Sequence, residues 1–148
     1  MRNAPVIYIV VPCYNEEEVL PLTAEFLGKK LDDLTRSRRI HPGSRVLMVD
    51  DGSKDRTWKL IEELHEKDER FAGVKLSRNR GHQNALLAGL FEAARRRCDA
   101  AISMDADLQD PPSLLPDMYK AVAEDGYDSA ATRRVTRAGE PPIRSFFA

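Results

Sequence analysis

Short apolar runs alternate with longer amphipathic stretches along this chain, and that alternation sets the expected elements. Val6-Ile7-Tyr8-Ile9-Val10-Val11 is continuous and largely β-branched, the pattern of a strand covered on both faces. From Glu16 to about Arg36 the spacing turns helical, with Val19, Leu20, Leu27, Leu31 and Leu34 on one stripe. Arg45 to Val49 predicts a second strand, and Asp55 to Lys67 a helix with Trp58, Ile61 and Leu64 at spacing three. Gly73 to Leu76 predicts a third, weaker strand. Gln83 to Arg97 predicts a helix whose apolar positions are Leu86, Leu87, Leu90, Phe91 and Ala94. Ala100 to Met104 predicts a fourth strand, Pro112 to Glu124 a helix opened by its proline, and Tyr127 to Thr132 a fifth strand. Strand and helix alternating in this way predict an α/β domain with a mainly parallel sheet and right-handed crossovers. The strand order stays open.

Composition narrows the class. At 148 residues, 42% hydrophobic and 32% charged, the chain has the size and balance of one globular domain, not of a disordered tail or coiled coil. Lys+Arg (23) nearly equals Asp+Glu (24), so no global charge draws it to nucleic acid. Cys13 and Cys98 lack metal-ligand spacing and suit a reducing compartment. The run Val6 to Val11, closed by Pro12, is too short for a membrane span or a signal-peptide core. The expectation is a soluble, intracellular domain. The last stretch differs: Arg133, Arg134, Arg137 and Arg144 face Glu140 alone, a charge of +3 over sixteen residues. It stops after Phe146-Phe147 with no terminating signal, as if the natural domain continued.

Chemistry collects where the predicted strands end. In an open α/β sheet, ligands bind beyond the carboxyl ends of the strands. The four strands deliver Pro12-Cys13-Tyr14-Asn15-Glu16, Asp50-Asp51-Gly52-Ser53, Ser77-Arg78-Asn79-Arg80-Gly81-His82 and Asp105-Ala106-Asp107-Leu108-Gln109. In an extended chain, residues two apart point the same way, so Asp105, Asp107 and Gln109 could face one point. Their hard oxygen donors suit Mg²⁺ or Mn²⁺ rather than zinc. The plainer account, a turn and helix cap, fits Asp110 better than this pair. Asp50-Asp51-Gly52-Ser53 reads either as a turn with Ser53 or Asp55 capping the next helix, or as a carboxylate that accepts from a nucleobase or ribose. Asn15 suits a helix cap, Tyr14 could stack on a flat base, and Arg78 could meet phosphate. His82 stays undecided between ligand and helix-start residue. No phosphate-cradling Gly-rich loop, dinucleotide fingerprint or nucleophile elbow is present. A site lined with aspartates repels phosphate unless a divalent cation intervenes, which points to a nucleoside diphosphate held through a metal.

These residues are familiar in combination. Val-Val-Pro-Cys-Tyr-Asn-Glu-Glu (10–17), Val-Asp-Asp-Gly-Ser-Lys-Asp (49–55), Ser-Arg-Asn-Arg-Gly-His-Gln (77–83) and Met-Asp-Ala-Asp-Leu-Gln-Asp-Pro-Pro (104–112) occur in order. The chain resembles the catalytic domain of family 2 glycosyltransferases, nearest the polyprenyl-phosphate (dolichyl-phosphate mannose synthase-like) members. The resemblance implies a GT-A fold, a Rossmann-like three-layer α/β/α domain. It also implies a nucleotide-sugar donor, UDP-sugar by family habit, and inverting transfer of a hexose to a polyprenyl phosphate in cell-envelope or glycan synthesis. Carried over by position, Pro12, Tyr14, Glu16, Val49 and Asp51 hold the nucleoside. Asp105 and Ala106 lie next to ribose and diphosphate. Asp107 and Gln109, with Asp105, hold Mg²⁺ or Mn²⁺. Asp105, Asp107 and Arg133 form the catalytic set. The glycine usual two residues before that arginine is Ala131 here. On this reading residues 1–132 form the nucleotide-sugar-binding domain and 133–148 a basic acceptor-side segment. Full-length relatives continue with acceptor-loop residues and, in many, membrane helices. The expected location is therefore cytoplasmic, at the inner face of a membrane, and homo-oligomerisation stays open. Two alternatives stand beside it: a non-catalytic nucleotide-sugar-binding fragment, and a haloacid-dehalogenase-like phosphohydrolase, whose Asp-x-Asp normally ends the first strand.

Overall fold

The computed structural model describes residues 4–109 and 114–131. The chain divides into two compact units, Met1–Pro112 and Ser113–Ala148. In the first, β1 (Ile7–Cys13), α1 (Leu20–Arg36), β2 (Arg45–Asp50), α2 (Thr57–Lys67), β3 (Phe71–Lys75), α3 (His82–Arg95) and β4 (Ala100–Ser103) follow one another. The four strands form one parallel sheet in the order β3-β2-β1-β4. Every residue of β1 is buried, as its unbroken apolar run requires of a strand flanked on both edges and covered on both faces.

Alternation along the strands sorts side chains to two layers. Tyr8 and Val10 of β1, Leu47 and Val49 of β2 and Ala72 of β3 pack with Ala85 and Ala93 of α3. The opposite face meets α1 and α2: Gly28 of α1 lies against the Phe71 ring, and Gly73 of β3 lies under Ile61 and Trp58 of α2. The buried stripe of α1 is Leu20, Thr23, Ala24, Leu27 and Leu31, close to the expected one.

On α3 the sequence pattern misleads. Its buried residues are Ala85, Gly89 and Ala93, four apart, whereas Leu87 and Phe91 are 47% and 68% exposed. A stripe of small residues lets the helix axis approach the sheet. A Cβ on Gly89 would collide with Val10 Cγ1 and come within 2.8 Å of Val49 Cγ2.

In the second unit, α4 (Leu115–Tyr119) has Pro116 in its first turn and runs into a π-helical turn over Lys120–Glu124. The expected helix from Pro112 to Glu124 is met over its described part by these two elements, and its start lies outside the described residues. The predicted fifth strand is not found in Tyr127–Ala131. Gly126 takes a left-handed φ of 80° and the Tyr127 N–H bonds back to the Ala121 carbonyl, which closes the turn. Residues 128–131 are largely exposed, and no strand is formed there among the described residues. Among the described residues no helix is long and apolar enough to cross a membrane.

Helix propensity and packing make opposite predictions at Gly89. Alanine gains about 1 kcal/mol in a helix interior, but the collision with Val10 and Val49 costs about 1–3 kcal/mol. Gly89→Ala is expected to lower the urea midpoint at unchanged slope. A raised midpoint would show that the α3–sheet spacing yields freely.

Candidate functional site

The carboxyl edge of the first unit's sheet is built by loops that hold one another. Asn15, just past β1, takes a left-handed φ of 52°, a conformation asparagine tolerates. Its N–H donates to Ser53 Oγ (2.9 Å), and its own Oδ1 accepts the Lys54 N–H (2.9 Å). The Glu16 N–H donates to Thr57 Oγ1 (2.9 Å), the Glu17 N–H to Asp55 Oδ2 (3.2 Å) and the Arg56 N–H to Glu17 Oε2 (3.0 Å). Two loops about 40 residues apart in sequence are thus stapled reciprocally. This corrects the expected caps. Asn15 and Ser53 bridge loops instead of capping, and α1 begins only at Leu20 without a side-chain cap. Asp55 does serve the start of α2, accepting from the Thr57 N–H (2.9 Å) and hydroxyl (2.6 Å). Burial works against the Asp55 charge, but these bonds and the Glu17 N–H hold its carboxyl below the usual range.

Asp51 carries the third loop. Its side chain is 3% exposed, with Oδ1 accepting the Arg80 N–H (2.6 Å) and Oδ2 the Gly81 N–H (3.0 Å). Gly52 beside it has φ 69°, and a Cβ there would stand 2.5 Å from the Arg78 carbonyl carbon and the Asn79 nitrogen. Glycine is required twice, for the turn and for the close passage of the 78–79 backbone. Gly81, at φ 89°, then opens α3.

The fourth loop follows β4. Met104 continues the ladder through its N–H to the Val10 carbonyl (3.0 Å). Ala106 is buried, while Asp105, Asp107 and Gln109 are exposed. Thr23, on the buried stripe of α1, donates its hydroxyl to the Ala106 carbonyl at 2.5 Å and so fixes the middle of the Asp-Ala-Asp segment. Alternation holds for Asp105 and Asp107. It breaks at Leu108, whose φ is 57°, and the Gln109 N–H then bonds Asp107 Oδ1 (3.1 Å). Gln109 is therefore placed by a turn, not by strand geometry.

Between these loops lies a cavity of about 170 Å³, lined among others by Pro12, Tyr14, Glu16, Asp51, Asn79 and His82. Whole ligand sites run to roughly 300–1,000 Å³, so this one suits a single ring of a larger ligand. Four of the expected nucleoside residues meet here. Val49 does not: its side chain is fully buried in the core under α3. Arg78 is exposed on the third loop and is not among the lining residues. Arg133, with Arg137 and Arg144, lies outside the described residues. Neither Thr23 nor Asn79 has a role in the sequence-based expectation. A threonine at the third position after Leu20, inside an apolar stripe, was the available signal for the first.

Carboxylates dominate the electrostatics. Burial, and then the charges of Asp107, Asp55 and Asp105, push the Glu16 carboxyl up. Burial, then Glu16 and Asp50, push the Cys13 thiol far above the thiolate range, so it is inert. No three His, Cys, Asp or Glu groups among the described residues converge as a ready metal cage. The two exposed carboxylates of Asp105 and Asp107 have the hard oxygen donors that would suit Mg²⁺ or Mn²⁺, a type of ion that takes one or two carboxylates and leaves the rest of its ligand set to substrate phosphates.

Known proteins place this geometry. The sequence model described as Glycosyl transferase family 2 matches residues 8–145. The chain belongs to that family. This family 2 domain is 50% identical over 116 residues to a Bacillus subtilis glycosyltransferase, YkoT, covering 78% of this chain and 34% of that protein. It is 38% identical over 130 residues to undecaprenyl-phosphate 4-deoxy-4-formamido-L-arabinose transferase of Proteus mirabilis, covering 87% of this chain and 37% of that one. The chain thus spans little more than a third of the length of these relatives. Among solved structures, a mannosyltransferase from Pyrobaculum calidifontis in complex with GDP-Man and Mn²⁺ superposes with a TM-score of 0.52 at 25% identity. The match covers 74% of this chain and 34% of that one. The fold is GT-A, as the resemblance implied.

Two outcomes follow from the site's construction. Asp51→Asn places an amide donor against backbone N–H donors. It is expected to cost about 1.5–3 kcal/mol, the worth of a hydrogen bond to a charged group, and to speed amide exchange at Arg80 and Gly81. Unchanged exchange there would remove the clamp. At Glu16 the folded-state pKa is raised, so its charge opposes folding above that pKa, and the penalty is gone below the ordinary value of about 4.3. Glu16→Gln is therefore expected to raise Tm at neutral pH in chelator-treated buffer and to leave it unchanged below about pH 4.

Proposed function

We propose that this domain binds a nucleotide-sugar donor and transfers its hexose, with inversion, to a polyprenyl phosphate. The observation that carries the reading is the ring-sized cavity under Tyr14 beside the exposed carboxylates of Asp105 and Asp107. A flat base enters the cavity against Tyr14 and Pro12. Each Asp51 oxygen, already accepting one backbone N–H, keeps a lone pair for a base or ribose donor. The donor diphosphate lies toward the Asp-Ala-Asp segment, where Asp107, with Asp105 and Gln109, would hold Mg²⁺ or Mn²⁺. That ion supplies Lewis acidity to the departing diphosphate when bound. An all-carboxylate opening without positive charge would repel such a donor, which supports this division of labour.

The acceptor chemistry asks little of the protein. A lipid phosphate is already ionised at neutral pH, so no strong general base is needed. The remaining tasks are to align that oxygen with the anomeric carbon and to keep two anions close together. On this reading Arg133 and the basic 133–148 segment serve the acceptor at the inner, cytoplasmic face of a membrane. The haloacid-dehalogenase alternative falls with the family and the topology: the Asp-Ala-Asp segment follows β4, not the central first strand.

Titration calorimetry of the 148-residue chain with UDP and with GDP, each with and without Mn²⁺, tests the reading. The expected result is Mn²⁺-dependent binding of one nucleotide, with UDP favoured, abolished by Asp107→Asn. Intact Mn²⁺-dependent binding in that variant would overturn the metal assignment. Nucleotide binding without transfer to a polyprenyl phosphate would favour a donor-binding fragment.

A further inference from the structure

The donor reading gives the cavity residue His82 no task. His82 is the first residue of α3 and lines the cavity beside Asp51 and Glu16. Its backbone is fixed from both sides. Asp51 holds the Arg80 and Gly81 N–H groups, Asn84 Nδ2 donates to the Arg80 carbonyl (2.7 Å), and the Ala85 N–H donates to the Gly81 carbonyl (3.0 Å). Nothing in that scaffold uses the imidazole. The side chain is 54% exposed, and its polar contact among the described residues runs from Nε2 to Asp105 Oδ1 at 3.6 Å. That is ion-pair reach, one small side-chain rotation from a hydrogen bond. A ring nitrogen facing a carboxylate contributes its N–H, which fixes Nε2 as the donor.

We infer that His82 is a positioning residue that orients the Asp105 carboxylate at the cavity mouth, so that cation-dependent donor binding depends on the imidazole. Three observations carry it. First, Thr23 fixes the Ala106 carbonyl and Asp107 Oδ1 accepts the Gln109 N–H, whereas the polar contact of the exposed Asp105 carboxylate among the described residues is the one from His82. Second, Asp105 and Asp107 both act on the Glu16 carboxyl, so this carboxylate faces a like charge that a nearby N–H donor offsets. Third, this contact is a polar link from the clamped third loop to the fourth loop. The inference rests on the donor reading above.

The test uses the 148-residue chain and calorimetric titration with UDP and GDP, each with and without Mn²⁺. His82→Ala is expected to reduce the affinity gained from Mn²⁺ about tenfold, the size of one hydrogen bond to a charged group. Melting should be unchanged, because the side chain is exposed. His82→Gln, which keeps an N–H donor near Nε2, is expected to recover most of the loss. In an Asp105→Asn background, His82→Ala should add nothing. Equal losses with and without Mn²⁺, an undiminished loss in that background, or wild-type affinity in His82→Ala would each overturn the inference. A wild-type chain that melts cooperatively yet binds neither nucleotide overturns the donor reading first, and this inference with it. The two failures are therefore distinguishable.

Discussion

The Asp51 carboxylate is the constraint on which the rest of the site depends. It is buried at the end of β2 and answers two backbone N–H groups at the start of α3. A charged acceptor in a low-dielectric position makes such bonds strong, and losing one partner leaves the other exposed to the full desolvation cost. Because Gly52 admits the 78–79 backbone to within contact, the carboxylate and the turn form one unit. The first residue of α3 is thereby placed against the end of β4. The cavity exists because this clamp and the Asn15–Ser53–Lys54 staple together tie the loops that follow β1, β2 and β3.

The fold was readable where one physical demand dominates. An unbroken β-branched run such as Val6–Val11 has to be a central parallel strand, and it is. The pattern failed where shape outweighed hydrophobicity. On α3, large apolar residues look like the core face, but the sheet takes the smaller residues because only they allow close approach. Leu87 and Phe91 are turned outward as a result. Residues 127–131 hold one strand-favouring residue, Tyr127, ahead of Asp128, Ser129 and two alanines, and a strand also needs a pairing partner, a requirement not written in the segment itself. For the site, residue types were legible and their tasks only partly so. Asn15 and Ser53 bear the chemistry of caps, yet they spend it on each other's loops, a pairing that spans 38 residues and leaves no local trace. The same holds for Thr23 and Ala106 across 83 residues.

The site is also a place of stored repulsion. Asp107, Asp55 and Asp105 are each close enough to act on Glu16, and its carboxyl, already raised by burial, is pushed further up by them. Such an arrangement opposes folding of the free domain and favours whatever brings positive charge into it. Acid-rich openings of this kind trade native stability for affinity toward a cationic complex. The close-packed α3 layer and the hydrogen-bonded loops are what keep that trade tolerable.

The bonds that frame the opening end on main-chain atoms. Asp51 receives the amides of residues 80 and 81, Asn15 receives that of 54, and Thr23 gives to the carbonyl of 106. Every residue but proline offers the same amide, and every residue offers the same carbonyl. The buried Ala106 is held by its packing, but the exposed side chains at 54 and 80 can therefore change, in a descendant sequence or a designed library, without undoing the frame. Variation at these positions is insulated from the architecture, so the surface presented to a ligand can diversify while the loops stay where they are.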